Sequence, residues 1–440
     1  MTQDTTVPVI FADLNIAQKL LDVLAHLKFT TPTPIQHQCI PHAIEGKDIV
    51  GIAQTGTGKT LAFGIPMIQR IARQRGQGLI LLPTRELALQ VDDALQKIGR
   101  PLGLKTIVLI GGASSYQQKQ ALKRGVHVII STPGRLIDHL NQRNLNLIQV
   151  KTLVLDEADR MLDIGFMPQI KKILEQAPVD RQTMLFSATM PTQIAGLAAR
   201  YMRSPLRIEV APAGTASANV EQEIFFVNKD FKAQLLDKIL SENQGKVLVF
   251  SRTKHGAKKI AMYIRSMGHT AAEIHSNRSL PQRKAALEGF KLGRFRVLVA
   301  TDIAARGIDV FDIALVINYD LPDNLEDYVH RIGRTGRAGK FGKAISFAMQ
   351  GEKYNVKQIE RLIKKTIPVL DLPHLPPRRE KTPETLQVSE DKNRFSHQSR
   401  QGRLGFGGHG RKGGDRRGSQ GGFGSNRKSG GFRSHRIHTM

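Results

Sequence analysis

Tryptophan is absent from this chain of 440 residues, and cysteine occurs once, as Cys39. A single thiol excludes an intrachain disulfide framework and a cysteine-based zinc site, and points to a reducing compartment. Aromatic residues make up only 5% of the chain. Acidic residues are outnumbered, 38 against 65 Lys and Arg, which leaves a formal charge of +27. Such an excess implies a polyanionic partner, either nucleic acid or an anionic membrane surface. No apolar run approaches the ~20 residues needed to span a bilayer. The first residues, MTQDTTVPVIFADLN, contain acidic side chains and no extended apolar stretch, so they do not read as a secretory signal. The expectation is a cytoplasmic protein with no membrane partner.

What the chain does have is unevenly distributed. Residues 391–440 hold 12 Lys and Arg against 2 acidic residues, and 13 of the 40 residues in 401–440 are Gly. Apolar residues are sparse there, so burial cannot offset the entropy of ordering. This reads as a disordered basic tail beginning near Pro373, Pro376 and Pro377, with boundaries 371–440. The body shows short apolar runs alternating with helical stretches. The first set of runs lies at 48–52, 79–83, 106–110, 127–131, 152–155, 183–187 and 206–210. A second set lies at 223–227, 246–250, 271–275, 296–300, 314–318 and 344–348. Runs apolar on both faces are the pattern of parallel strands covered by helices on each side. Between the sets, residues 211–219 are small and read as a linker. The fold class expected is therefore α/β, with two tandem doubly wound parallel-sheet domains at 1–210 and 220–370.

Three stretches carry chemistry. Ala53-Gln54-Thr55-Gly56-Thr57-Gly58-Lys59-Thr60 follows a strand and precedes the apolar run 61–68. This is P-loop spacing: backbone N–H groups wrap a phosphate, Lys59 reaches the β- and γ-phosphates, and the Thr60 hydroxyl serves Mg²⁺. Taken alone it also reads as a Gly-rich turn capping a helix. Leu153-Val154-Leu155 runs into Asp156-Glu157-Ala158-Asp159. In an ATP site, Asp156 would hold the metal and Glu157 would deprotonate the attacking water. In isolation, the same tetrapeptide reads rather as a carboxylate cap on the next helix; joined to the P-loop, it reads as catalytic. His330-Arg331-Ile332-Gly333-Arg334-Thr335-Gly336-Arg337 spaces Arg residues by three. It reads as a basic surface loop, or as a pair of arginine fingers, Arg334 and Arg337, reaching a phosphate from the second domain.

With these blocks in order, the chain resembles a DEAD-box RNA helicase over about residues 11–370. Further matching blocks are Thr33-Pro34-Ile35-Gln36, Pro83-Thr84-Arg85-Glu86-Leu87, Gly111-Gly112, Thr132-Pro133-Gly134-Arg135, Ser187-Ala188-Thr189, Val249-Phe250-Ser251 and Ala300 through Asp309. The resemblance implies two RecA-like domains, ATP and Mg²⁺ as cofactors, RNA as partner, and ATP-driven unwinding or remodelling of duplexes. It implies that Gln36 reads adenine while Phe29 stacks on it, and that Ala53 is the ordinary first residue of this family's P-loop. It places Asp302 at the nucleotide or the neighbouring fingers and Asp309 at the ribose. Ser187 and Thr189 would couple hydrolysis to domain movement. Thr84, Arg85, Gly112, Thr132 and Arg135 would face RNA from the first domain, Arg283 and Thr301 from the second.

Two positions depart from the family pattern. Leu280 stands where a Gln usually precedes Arg283 by a few residues, which puts one polar contact in doubt, and Lys28 replaces the Gly before the aromatic. In the tail, Phe395, Phe406, Phe423 and Phe432 are interspersed with Arg, Lys and Gly, a pattern suited to tethering unpaired RNA or simply to solubility. The short N-terminus and Gly/Arg-rich tail most resemble the bacterial RhlE-type branch. An ATP-independent RNA-annealing activity of the tail is the alternative from another class. Ribosomal and RNA-turnover assemblies both suit such a partner profile.

Overall fold

A computed structural model describes residues 9–54, 56–210, 219–305, 310, 312–336 and 340–377. The expectations placed on Thr55, Asp309, Arg337, the linker 211–218 and the tail from 378 onward lie outside the described residues. Both sheets belong to one compact unit, Met1–Arg378.

The first half opens with α1 (Gln18–His26) and α2 (Pro34–Glu45). It continues through β1 (Ile49–Ile52), α3 (Lys59–Gln74), β2 (Gln77–Leu81), α4 (Arg85–Gly99), β3 (Thr106–Leu109), α5 (Ser115–Lys123), β4 (Val128–Ser131) and α6 (Pro133–Asn141). It closes with β5 (Val150–Leu155), α7 (Ala158–Asp163), α8 (Met167–Gln176), β6 (Gln182–Ser187), α9 (Thr192–Tyr201) and β7 (Leu206–Glu209). The second half runs β8 (Val220–Phe226), α10 (Lys232–Glu242), β9 (Lys246–Phe250), α11 (Lys254–Ser266), β10 (Ala271–Ile274), α12 (Leu280–Lys291) and β11 (Val297–Ala300). It ends with α13 (Asp302–Ala305), β12 (Ile313–Asn318), α14 (Leu325–Ile332), β13 (Gly342–Ala348), α15 (Lys353–Ile363) and β14 (Val369–Leu370).

All thirteen expected strands are present. β8 starts at Val220, ahead of the expected 223, because Val220 is followed by the polar Glu221-Gln222-Glu223, which hides the apolar signal. β14 is too short to leave a pattern; it pairs with β8 through Val369 and Leu370. The chain stays anchored past it. Gln234 Nε2 donates to the Pro376 carbonyl at 2.8 Å, and Leu375 packs on the second core. The proline cluster assigned to the tail thus still includes anchored residues.

Strand pairing is parallel throughout both sheets, as in Ile49↔Met184 and Val316↔Leu248. Successive strand residues enter opposite cores: Ile80, Val154 and Met184 face one side of the first sheet, while Leu79, Leu81, Leu153 and Leu155 face the other. This period of two, with helices on both faces, is why the strands read as unbroken apolar runs. Each such side chain, nearly fully buried, contributes roughly 1.5–3 kcal/mol.

Strand order positions the chemistry. It is β3-β4-β2-β5-β6-β1-β7 in the first sheet and β10-β11-β9-β12-β13-β8-β14 in the second. Parallel strands deliver every following loop to the same carboxyl edge. Loops after the neighbours β5, β6 and β1 carry the acidic tetrapeptide, Ser187-Ala188-Thr189 and the P-loop. Loops after β3, β4 and β2 carry Gly112, Thr132 and Thr84. The edge is thereby divided into two adjoining districts.

Candidate active site

The turn between β1 and α3 is shaped by two glycines at positive φ, Gly56 (88°) and Gly58 (92°). A Cβ on Gly58 would stand 2.4 Å from Gln36 Nε2, so only Gly fits between the loop and α2. Gln36 is buried. Its Nε2 donates to the Gly58 carbonyl at 3.0 Å, and its Oε1 accepts from the Thr33 N–H at 2.9 Å. These bonds use one N–H and one lone pair of an amide that carries two of each. The Thr57 hydroxyl donates to the Gln54 carbonyl at 2.8 Å, and the Ala53 N–H to the Ser187 carbonyl at 3.0 Å. Lys59 folds back, Nζ donating to the Ala53 carbonyl at 3.1 Å and lying 4.0 Å from Asp156 Oδ1. Thr60 follows it in the first turn of α3, a terminus with no acidic residue. Orphan N–H groups there favour an anion. Phe29 is 42% exposed, so it is not a core aromatic. Lys28 ahead of it has φ +61°, the conformation that Gly adopts without strain.

At the end of β5, Glu157 adopts φ +53°, a costly conformation for a side-chain-bearing residue, held between the strand and α7. Asp156 and Glu157 are both buried. Burial pushes the Asp156 carboxyl well above the usual carboxylate range; Lys59 pulls against this, and the charges of Glu157 and Asp159 add to it. Arg160, a fully buried residue that the sequence reading did not single out, lies with Nη1 3.1 Å from Glu157 Oε2. The contact is electrostatic, without hydrogen-bond geometry. Asp159 ties this loop to the next strand. Its Oδ2 accepts from the N–H groups of Ala188 (3.0 Å) and Thr189 (2.9 Å) and from the Thr189 hydroxyl (3.2 Å), while its own N–H donates to Ser187 Oγ at 3.1 Å. Burial works to raise Asp159, but the charges of His330, Arg160 and Lys59 and the Thr189 N–H outweigh it and hold the carboxyl low.

The second half meets this edge through α14. Thr189 Oγ1 lies 3.4 Å from Glu326 Oε2, and Asn324 Nδ2 lies 3.5 Å from Asp163 Oδ1. A cavity of about 280 Å³ remains between the halves, lined by Gln54, Thr189, Met190, Glu326, Val329 and His330 among others. Asp302 is engaged by Arg331: both carboxylate oxygens accept from the guanidinium, at 2.5 and 2.7 Å. Arg331 also donates to Asn318 Oδ1 and the Asp320 carbonyl and stands 5.0 Å over the Phe250 ring. Arg334 is buried, its Nε donating to the His330 carbonyl at 3.2 Å, and it lines a small cavity together with Arg160 and Asp302. Burial, with the nearby Arg160 charge, lowers the His330 pKa against the pull of the Asp327 and Asp159 carboxylates.

In the other district, Thr84 caps α4, its hydroxyl accepting from the Leu87 N–H at 3.3 Å. The Arg85 guanidinium packs on Gly111 and Gly112, and a Cβ on Gly112 would stand 2.4 Å from Nη1. Thr132 caps α6. Arg135 is held by Gln118 Oε1 (2.9 Å from Nε) and the Ala113 carbonyl (3.1 Å from Nη2). Gln118 also meets His139 Nε2 at 2.9 Å and donates to the Ile110 carbonyl. Nothing in the local pattern marked Gln118, because its partners come from two other segments, the loop after β3 and α6. Thr301 sits at the end of β11, its N–H donating to the Ile274 carbonyl at 3.4 Å. Across the cleft, Arg283 Nη2 donates to Glu86 Oε2 at 2.8 Å. Leu280, in place of a polar residue, packs against the apolar core of the first half.

The family model for the DEAD/DEAH box helicases matches residues 33–197, and the helicase conserved C-terminal domain matches 231–339. The ATP-dependent rRNA helicase RRP3 of Candida albicans is 43% identical over 367 residues, 82% of this chain and 69% of that protein. The DEAD-box ATP-dependent RNA helicase CshA of Bacillus cereus is 42% identical over 368 residues, 83% of this chain and 70% of that protein. The structure of S. cerevisiae Dbp5 bound to RNA and ADP BeF3 covers 88% of this chain and 99% of its own, with a TM-score of 0.74 and 28% identity. These relatives lend no support to an ATP-independent annealing activity. Among the described residues, no helix is long and apolar enough to cross a membrane. Two tandem RecA-like sheets, the family models over most of the body and relatives over four-fifths of the sequence agree: the chain belongs to the DEAD-box family and is an ATP-dependent RNA helicase, an enzyme that hydrolyses ATP.

Proposed function

We propose that hydrolysis takes place where the P-loop, the acidic tetrapeptide and α14 converge, and that RNA binds in the adjoining district. The observation that carries this is the single chain of contacts Lys59–Asp156, Asp159–Thr189 and Thr189–Glu326, which joins three loops of the first half to the second. Backbone N–H groups of residues 54–60 wrap the phosphates of ATP, and Lys59 exchanges the Ala53 carbonyl for the β- and γ-phosphates. Phe29 stacks on adenine, Gln36 reads its edge with its remaining N–H and lone pair, and Asp309 takes the ribose. Among the described residues no three His, Cys, Asp or Glu are grouped to hold a metal by themselves. That suits Mg²⁺, which usually takes one or two protein ligands and completes its shell with phosphate and water. Thr60 and Asp156 are hard oxygen donors beside the phosphate site, and the buried Asp156 carboxylate is destabilised enough to favour a cation. Mg²⁺ held there would neutralise charge on the β- and γ-oxygens.

Glu157 accepts the proton of the attacking water. Arg334 and Arg337 stabilise the developing charge as arginine fingers from the second half, where Asp302 is held by Arg331. Ser187 and Thr189, bonded to Asp159 and touching Glu326, pass the state of the nucleotide to α14. Thr84, Arg85, Gly112, Thr132, Arg135, Arg283 and Thr301 contact phosphate and sugar, so sequence preference is weak. The domains are taken as 1–210 and 220–370, with a basic tail that tethers RNA. Tail composition supports a place in the RhlE-type branch. The rRNA helicase name of RRP3 supports a ribosomal assembly as the setting, and the reducing, membrane-free profile supports the cytoplasm.

Replacing Glu157 by Gln tests this. Shape is kept and the base is lost, so RNA-stimulated ATP turnover should fall about 10²-fold or more. Binding of ATP and RNA should persist as a trapped closed complex. Near-normal turnover would remove Glu157 from the mechanism.

A further inference from the structure

We propose that Tyr116 forms a stacking subsite for an unpaired RNA base, at the outer end of the RNA district of the first half. The proposal rests on the reading of that district as the RNA site. In the first half, the exposed aromatic rings among the described residues are Phe29, at the nucleotide district, and Tyr116, which is 70% exposed. Tyr116 lies in the first turn of α5, the helix that follows β3, and β3 is the end strand of the first sheet.

The ring is carried on a pinned support. The loop ahead of α5 is held at Ile110 by Gln118 Nε2 (3.0 Å) and at Ala113 by Arg135 Nη2 (3.1 Å). Ser114 caps the helix, its Oγ 3.4 Å from the Gln117 N–H. Gln118 is buried against Arg135 and His139, so it marks the inward face of α5. Two residues earlier on an α-helix is about 200° around the axis, which turns Tyr116 away from the protein. A strand that lays its phosphates along Arg85, Gly112 and Arg135 therefore meets an aromatic face as it leaves the guanidinium groups. A base stacks on such a face whatever its identity, and a support already ordered loses little freedom on binding.

The test uses full-length protein with a non-hydrolysable ATP analogue and a fluorescent single-stranded RNA of about a dozen nucleotides. Affinity is read by anisotropy, with the RNA scanned by one abasic position at a time. The wild type should lose about tenfold at one position, the size of one base–aromatic stack. Tyr116→Ala should bind the intact RNA about tenfold more weakly and erase the penalty at that position alone. Tyr116→Phe should restore both. If Tyr116→Ala matches the wild type while Arg135→Ala binds weakly, the stacking subsite is refuted and the RNA district stands. If Arg135→Ala also binds normally, the district is misplaced and the proposal falls with it.

Discussion

Arg331 tests whether the second half is assembled as the hydrogen bonds indicate. Its side chain is 1% exposed and donates to both oxygens of Asp302, to Asn318 Oδ1 and to the Asp320 carbonyl. Replacing it by Ala strands a carboxylate and a fully buried amide oxygen. Breaking a buried ion pair from one side costs about 3–5 kcal/mol. Asp302 keeps 20% of its side-chain exposure, which favours the lower end, but Asn318 is fully buried and its missing bond adds to the cost. We expect a loss of about 3 kcal/mol, a large part of the roughly 5–15 kcal/mol that holds a domain folded. Arg331→Lys should recover only part, because an ammonium cannot span two carboxylate oxygens. The assay is amide hydrogen exchange followed by peptide mass spectrometry, which separates the two halves. Protection in β9, β12 and β13 should fall about 100-fold or more, with β4 and β5 unchanged. Adding Asp302→Ala should cost less than the sum of the two single changes. Protection within a factor of about three of the parent, or strict additivity of the pair, would show that the Asp302–Arg331 pair does not hold the second half together.

Lys28 occupies a left-handed conformation that costs a side-chain-bearing residue roughly 1–2 kcal/mol, while Gly costs about 0.4–1 kcal/mol through the unfolded chain. Lys28→Gly should therefore raise the stability of the first half by about 0.5–1 kcal/mol, seen as a higher melting temperature, and an unchanged or lower one would contradict the assigned strain. Deleting residues 379–440 should raise the RNA concentration for half-maximal ATPase and flatten its salt dependence by about 0.7 for each phosphate the tail no longer neutralises. Identical RNA requirement and slope with and without the tail would assign it to solubility or to a protein partner.

The sequence by itself determined the class of fold and the order of the chemical blocks. Strands such as β4 and β11 sit between two helical layers, so their runs are apolar at every residue or nearly so, and that pattern is local. The Gly-Lys-Thr turn was legible for the same reason: a phosphate-wrapping loop draws its glycines, cation and hydroxyl from consecutive positions. Which side chain meets which was decided by tertiary structure. Arg331, Arg334 and Arg337 stand at equal spacing, yet Arg331 is committed to Asp302 on another strand's loop. Gln36 reaches Gly58 across 22 residues, and Arg283 reaches Glu86 across 197. Leu280 replaces an expected polar contact with packing on the opposite half. Gln118 and Arg160 left no mark at all, since their partners lie on other segments or depend on complete burial. The physical reason is common to all of these. A parallel sheet brings loops to one edge in an order set by strand pairing, β3-β4-β2-β5-β6-β1-β7, and that order depends on long-range pairing that no local periodicity encodes.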